Sequence, residues 1–540
     1  MLAETTLTHF NTFIAQHLTV EPTAGIALAL TDRERTLCVG TYGYANLDAQ
    51  IPVRPDHLFQ IGSIGKSFTA IALLQLHEQG QLDLHAPVTQ YLPWLEIPTS
   101  YEPVTIHHLL THTAGIVTGT DESPTMFGEA WNLRHTATGC PPGDYFHYSN
   151  SGYKVLGLVL ETLTGQPYAQ VIRERILNPL GMDSTEPVIT HTTRARHAVG
   201  YLPLPDDRPF IRPFTDKSRL APATWFETGT ADGCITSTPG DMAIYLRALL
   251  NNAKGLIQPD TFLLMTMPYI QAHTEDHSFQ YGYGLDIIQK EGRDQIAHGG
   301  GMVGYYAFML GDVNTGLGAI VLMNGPGGTY PVADFAVKTL LAEHENKPLP
   351  EIPAPKNFLD VDNANDYEGE YHSPNKALTL TTSAGKLALT PAGGDPIPLA
   401  QRAPDLFHAN RPDFDGYFLQ FCRDEQGNVT DLFHGTDVYE SARFSIRQTV
   451  SYPSEWDAYP GHYISHNPWY PHFRIFLRKG KLTLSQPLEG DESLTEIEPG
   501  IFRVGEDERS PERLHFEAII DGKATQAVFS GTRYYRTFTP

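Results

Sequence analysis

A serine and a lysine three residues apart, at the mouth of an apolar run, can carry out acyl transfer. Ser63-Ile-Gly-Lys66 opens such a run, which continues Ser-Phe-Thr-Ala-Ile-Ala-Leu-Leu-Gln-Leu76. On a helix this spacing puts both side chains on one face, one turn apart. A helix that is apolar around most of its circumference is buried, and a buried lysine loses its hydration. Its ammonium form is then disfavoured, and the free amine can take the serine proton. The helix N-terminus adds oriented N–H groups and positive partial charge, which favour the oxyanion formed on attack. Taken alone, the pattern also fits a capping serine and a solvated lysine.

Two more groupings could complete such a site. Tyr148-Ser149-Asn150 offers a phenol and an amide close together. The phenol can sit as phenolate or relay a proton, and the amide can hydrogen-bond both a lysine and a substrate carbonyl. As three isolated residues they read equally as a turn. Ala297-His298-Gly299-Gly300-Gly301 leads into an apolar strand pattern, and its glycines allow a ligand backbone to approach the strand edge. The plain alternative there is a loop with a surface histidine.

Two rival chemistries fail on single residues. Gly65-Lys66-Ser67 matches the tail of a phosphate-binding loop, but Gln60 occupies the position that must be glycine for N–H groups to wrap a phosphate. His108 and His112 have metalloprotease spacing, but Leu109 stands where the general-base glutamate belongs.

Residues 1–345 mix strand and helix patterns. Gly25 to Leu30 and Gly318 to Met323 read as buried strands. Helices are predicted over Ile64 to Gln79, closing at Gly80, and over Pro239 to Leu250 and Pro331 to Ala342. Asn346 to Pro355 then holds four prolines in ten residues, an extended spacer, and the linker is drawn over 346–362.

Beyond it a repeat appears. Tyr367-Glu-Gly-Glu-Tyr371 recurs as Tyr459-Pro-Gly-His-Tyr463, Gly385-Lys-Leu-Ala-Leu389 as Gly480-Lys-Leu-Thr-Leu484, and Phe433-His-Gly435 as Phe529-Ser-Gly531. The offset stays between 92 and 96 residues, so residues 363–450 and 455–540 are read as two copies of one all-β unit. Each copy carries about seven or eight short strands, as in a small closed barrel. Neither gathers a nucleophile and a base, which leaves the chemistry to residues 1–345.

The formal charge of −24, from 62 acidic and 38 basic residues, argues against nucleic acid or an anionic membrane as partner. Cys38, Cys140, Cys234 and Cys422 lie far apart and suit buried free thiols. No basic, apolar leader follows Met1, and no run approaches about 18 apolar residues, so a cytoplasmic chain without membrane insertion is expected.

Ser-x-x-Lys, Tyr-x-Asn and His/Lys-x-Gly, in this order, resemble the penicillin-recognising serine hydrolases: class C β-lactamases, DD-peptidases, D-aminopeptidases and related esterases. Ile106-His-His-Leu-Leu-Thr-His-Thr-Ala-Gly115, Asn178-Pro-Leu-Gly-Met182, Gly233-Cys-Ile-Thr-Ser-Thr238 and Tyr281-Gly-Tyr-Gly284 are similar to the family as well. The resemblance implies an α/β (α+β) serine β-lactamase-like catalytic domain, and the two barrels make it most similar to the D-aminopeptidase branch. There the barrels are lipocalin-like and partly cover the cleft.

It implies Ser63 as nucleophile, Lys66 and Tyr148 as base and proton relay, and Asn150 as the group orienting lysine and substrate. His298 stands for the more usual lysine, with Gly299 and Gly300 completing that motif and the N–H groups of Ser63 and Gly301 forming the oxyanion hole. Neither metal nor cofactor is implied. Histidine, mostly neutral at pH 7, weakens the case for substrates with a free carboxylate. The expected substrate is a small amide or short peptide, D-amino-acid-containing ones included. The alternatives are an ester, DD-peptidase or β-lactamase activity, or an inactive chain that binds peptidoglycan fragments. A homodimer is among the expected partners. Ser465-His-Asn-Pro-Trp-Tyr-Pro-His472 is the expected loop over the cleft.

Overall fold

The computed structural model describes residues 2–537 apart from 22, 121–122, 204–219, 274–277, 355–356, 415–416, 445–450, 468 and 487–489. Helix α1 (Glu4–Val20) precedes strands β1 (Gly25–Thr31), β2 (Thr36–Asn46) and β3 (Ile51–Pro52). A short β4 (Phe59–Gln60) then leads through a 3-10 turn, Gly62–Ile64, into α2 (Gly65–Glu78).

Five helices follow: α3 (Ile106–Leu110), α4 (Met126–Asn132), α5 (Asn150–Thr164), α6 (Tyr168–Ile172) and α7 (Asn178–Leu180). Two short pairs come next, β5 (Tyr201–Pro203) with β6 (Leu220–Pro222), and β7 (Thr236–Ser237) with β4. Helices α8 (Pro239–Leu250) and α9 (Pro259–Met265) lead to β8 (Ile270–His273), β9 (Ser278–Tyr281), β10 (Asp286–Lys290), β11 (Arg293–Met302), β12 (Tyr305–Asp312) and β13 (Leu317–Met323), and α10 (Thr329–His344) closes the domain.

The nine-stranded sheet runs β3-β2-β1-β13-β12-β11-β10-β9-β8. The two runs read as buried strands therefore become neighbours, with Ile26 opposite Met323 and Thr31 opposite Gly318. Their unbroken apolar character follows from burial on both faces. Ile26, Leu28 and Leu30 meet Phe10, Phe13 and Phe335 of α1 and α10, while Ala27 and Ala29 face the core that holds α2 and α8. The three predicted helices appear as α2, α8 and α10, the last a little longer than read.

The spacer is held down along α1: the ring of His9 meets the Pro350 carbonyl at 2.7 Å, and Gln16 donates to Pro353 at 2.5 Å. Beyond it stand two closed eight-stranded antiparallel barrels, one from Gly369–Ser373 to Asp437–Ser441 and one from Gly461–Ile464 to Thr532–Arg536. The repeated tyrosines do the same job in each. Tyr371 donates to the Tyr367 carbonyl at 3.0 Å, and Tyr463 to the Tyr459 carbonyl at 2.8 Å. Both lumens are filled with side chains, Leu380, Phe407 and Phe421 in one, Leu484, Phe502 and Leu514 in the other.

In the loop 465–472, Pro468 lies outside the described residues. Trp469 meets Phe226 of the first domain at 5.8 Å, so the loop touches that domain. All four cysteines are free thiols; Cys140 and Cys234 are buried, Cys38 and Cys422 half-buried. Among the described residues, no helix is long and apolar enough to cross a membrane.

Candidate active site

Ser63 sits in the 3-10 turn, and Lys66 lies in the first turn of α2, wholly buried. The turn works because Gly62 adopts φ +53 with no room for a side chain: a Cβ there would stand 2.6 Å from the Gly301 nitrogen. From the other side, a Cβ on Gly300 would lie 1.9 Å from the Ile61 carbonyl oxygen. The His-Gly-Gly-Gly segment is thus an integral part of β11, pressed edgewise against the backbone that presents Ser63. The apolar strand after it is β12, reached by a hairpin that sets Gly301 opposite Tyr306. At Gly301 itself a Cβ would meet nothing within 4 Å, so that face is open.

The Lys66 Nζ has three partners: Ser63 Oγ at 2.9 Å, Asn150 Oδ1 at 2.8 Å and the Asp232 carbonyl at 2.8 Å. It also lies 4.8 Å from the centre of the Tyr148 ring. Burial brings the amine down from its ordinary value to about 7; Asp232 resists this, and Lys154 adds to it. A neutral amine has two N–H bonds and one lone pair. The Asn150 and Asp232 oxygens can only accept, so they take the two N–H bonds, and the lone pair faces the Ser63 hydroxyl.

Tyr148 goes the opposite way. Burial pushes its phenol well above the ordinary value, against the pull of a hydrogen bond with Ser63. Burial thus favours the protonated phenol over the phenolate.

His298 is buried on β11, not at the surface. Its Nδ1 lies 2.6 Å from the Gly299 carbonyl, and its Nε2 lies 2.9 Å from the Tyr281 hydroxyl. A carbonyl only accepts, so Nδ1 carries the proton and Tyr281 donates to Nε2. Burial lowers the ring to about 3, with Gly299 opposing and Lys66 reinforcing the shift. His298 therefore presents no positive charge to a ligand.

Four groups in the site were given no part in it by sequence reasoning. The Asp232 contribution is a backbone carbonyl, invisible to any side-chain pattern. Tyr281 comes from a recognised segment without an assigned role, and Tyr153, on α5, donates to the Leu110 carbonyl at 2.8 Å. His112 adopts φ +58 and accepts the Ser149 N–H on Nδ1 at 2.9 Å, while its carbonyl accepts the His147 N–H at 2.8 Å. Its ring lies 4.2 Å from that of Tyr148. His107 and His108 are engaged elsewhere, His107 with the Tyr283 hydroxyl and His108 in a capping box with Thr105.

Residues 10–343 match the Beta-lactamase family. The chain is 25% identical to penicillin-binding protein 4* of Bacillus subtilis over 375 residues, 65% of this chain and 80% of that one. With penicillin-binding protein 4 of Amycolatopsis lactamdurans it shares 27% over 323 residues, 56% and 82% of the two chains. Among solved structures, an octameric penicillin-binding protein homologue from Pyrococcus abyssi superposes with a TM-score of 0.58 at 25% identity, covering 80% of this chain and 99% of that one. The D-amino acid amidase of Ochrobactrum anthropi does so with a TM-score of 0.54 at 26% identity, covering 64% and 99%. With a family match across most of its first domain, this chain belongs to the beta-lactamase family of penicillin-recognising serine hydrolases.

Proposed function

We propose that the chain cleaves small amides or short peptides, D-amino-acid amides among them, through an acyl-enzyme on Ser63. One observation carries this reading: the wholly buried Lys66 Nζ lies 2.9 Å from Ser63 Oγ, where burial favours its neutral, proton-accepting form. Lys66 takes the hydroxyl proton as Ser63 attacks the carbonyl carbon. The oxyanion is met by the N–H groups of Ser63 and Gly301, at the seam where the turn and β11 touch. The proton then passes from Lys66, by way of the Tyr148 phenol, to the departing amine. Water repeats the sequence on the acyl-enzyme with Lys66 again as base, and Asn150 holds both the amine and the substrate amide.

The neutral ring of His298 favours substrates without a free carboxylate, because no fixed cation awaits one. The amidase from Ochrobactrum anthropi, similar in structure, supports the D-amino-acid choice. The octameric homologue supports a self-associating chain.

Two measurements test the reading. A fluorophosphonate should label the protein at Ser63 and leave Ser63→Ala unlabelled; an unlabelled native protein would mean a binding module. Turnover of D- and L-amino-acid p-nitroanilides, p-nitrophenyl esters and nitrocefin should favour the D-amides. Hydrolysis of esters alone would sink the amidase assignment.

A further inference from the structure

The catalytic segment 147–151 is gripped from outside its own domain. Glu512, on the connection before the sixth strand of the second barrel, accepts the Thr118 N–H on Oε1 at 2.8 Å. The same oxygen lies 2.8 Å from His147 Nε2, beside Tyr148 in the chain. Thr118 passes the contact inward: its carbonyl accepts the N–H groups of Asn150 at 2.7 Å and Ser151 at 3.2 Å, the first two residues of α5. Ser149 is tied in too, its hydroxyl donating to the Val117 carbonyl at 2.7 Å. The second carboxylate oxygen of Glu512 takes the Ser530 hydroxyl, and Thr532 donates to the Thr120 carbonyl.

The pair is largely shielded, with side-chain exposures of 15% for His147 and 14% for Glu512. Burial alone would raise the carboxyl, but His147, Ser530 and the Thr118 N–H together hold it below its ordinary value. It stays an anion, and hydrogen bonds to an anion are shorter and stronger than neutral ones.

We infer that Glu512 is a positioning residue for the reaction: from the second barrel it fixes, through Thr118 and His147, where Tyr148 and Asn150 stand around Lys66. His112 holds the same segment from the inside, and Glu512 completes the grip from the outside. The kinetic part of this inference rests on the Ser63 reading above, whereas the structural part does not. A purely adhesive contact between two domains would need none of this alignment with the residues flanking Tyr148.

The test is made on the full chain with Glu512→Ala and Glu512→Gln. An active-site shift of about 1 Å can cost on the order of 10²-fold in rate, so Glu512→Ala should label at Ser63 about 10²-fold more slowly. Labelling should still run to full stoichiometry with KM little changed. Glu512→Gln keeps an acceptor for the Thr118 N–H and should recover part of the rate. An unchanged rate overturns the inference, and so does a reduced end-point with a normal rate, the mark of mere loss of folded protein. Hydrogen exchange gives the second readout: in Glu512→Ala the amides of Thr118, Asn150 and Ser151 should exchange faster. Unaltered protection at Asn150 and Ser151 refutes the grip. If the native protein resists labelling, the hydrolase reading falls while exchange still decides the grip.

Discussion

The two barrels share strand order, lumen packing and the buried tyrosine pair, yet the same connection in each grips a different neighbour. In the first barrel, residue Tyr417, between the fifth and sixth strands, receives a hydrogen bond from Arg474 of the second barrel and packs 5.7 Å from Phe476. In the second barrel the corresponding connection carries Arg509, whose guanidinium lies 4.3 Å over the Tyr145 ring, and Glu512 on Thr118 and His147. The residues retained between copies fill the core; the residues that differ choose the partner. The first barrel supports the second, and the second reaches the chemistry.

That contrast matters only if the reaction stays in the first domain. Ser63→Ala should abolish turnover, on the order of 10⁶-fold as for a triad nucleophile, with the melting temperature nearly unchanged. Residual activity of a few per cent, free of native protein, would assign the chemistry elsewhere. Lys66→Ala should slow acylation by about 10³-fold, the span of a lost general base with its electrostatic effect. The sign with pH follows from Lys66: only its neutral amine accepts the proton. Acylation should therefore climb with pH below about 7 and level off above it. A rate independent of pH from about 5 to about 9 would contradict the role.

Truncation separates the barrels directly. A chain ending after Ser441 and one ending after Glu345 should both lose about 10²-fold in Ser63 labelling, since removal of the second barrel already releases Thr118 and His147. A loss seen only when both barrels go would invert the comparison. The same chains test the loop 465–472: unchanged selectivity for short over long peptides would show that it does not limit substrate length. The smallest effect belongs to Tyr417→Phe. It removes one hydrogen bond between barrels and should cost about 1 kcal/mol of stability, with labelling unchanged. Slower labelling would mean that the first barrel also shapes the site.

Much of this molecule is written locally and so can be read in the sequence. β1 and β13 are continuous apolar runs because both faces are buried, and α2 is apolar around its girth for the same reason. Ser63 and Lys66 meet because three residues make one helical turn. Other parts have no local signature. β4 and β7 are two residues each, too short to show alternation. The Asp232 carbonyl depends on backbone direction, and His112 on a left-handed conformation that its residue type does not announce. Glu512 lies 394 residues from Thr118, within a unit whose own sequence gathers no chemistry. Nothing in its neighbourhood distinguishes it from other surface acids before the domains come together.

The long separation between Thr118 and Glu512 also sets an order in time. Domains generally fold as units as the ribosome releases them, at roughly 5–20 residues per second. At that pace the catalytic domain, whose last helix ends at His344, is complete roughly 8–34 seconds before Glu512 emerges. During synthesis the nascent hydrolase is complete in its reacting groups but slack in their alignment. On the positioning role inferred for Glu512, only a chain translated through its second barrel would acquire full activity, and premature termination or proteolysis at the proline-rich spacer should yield a sluggish product.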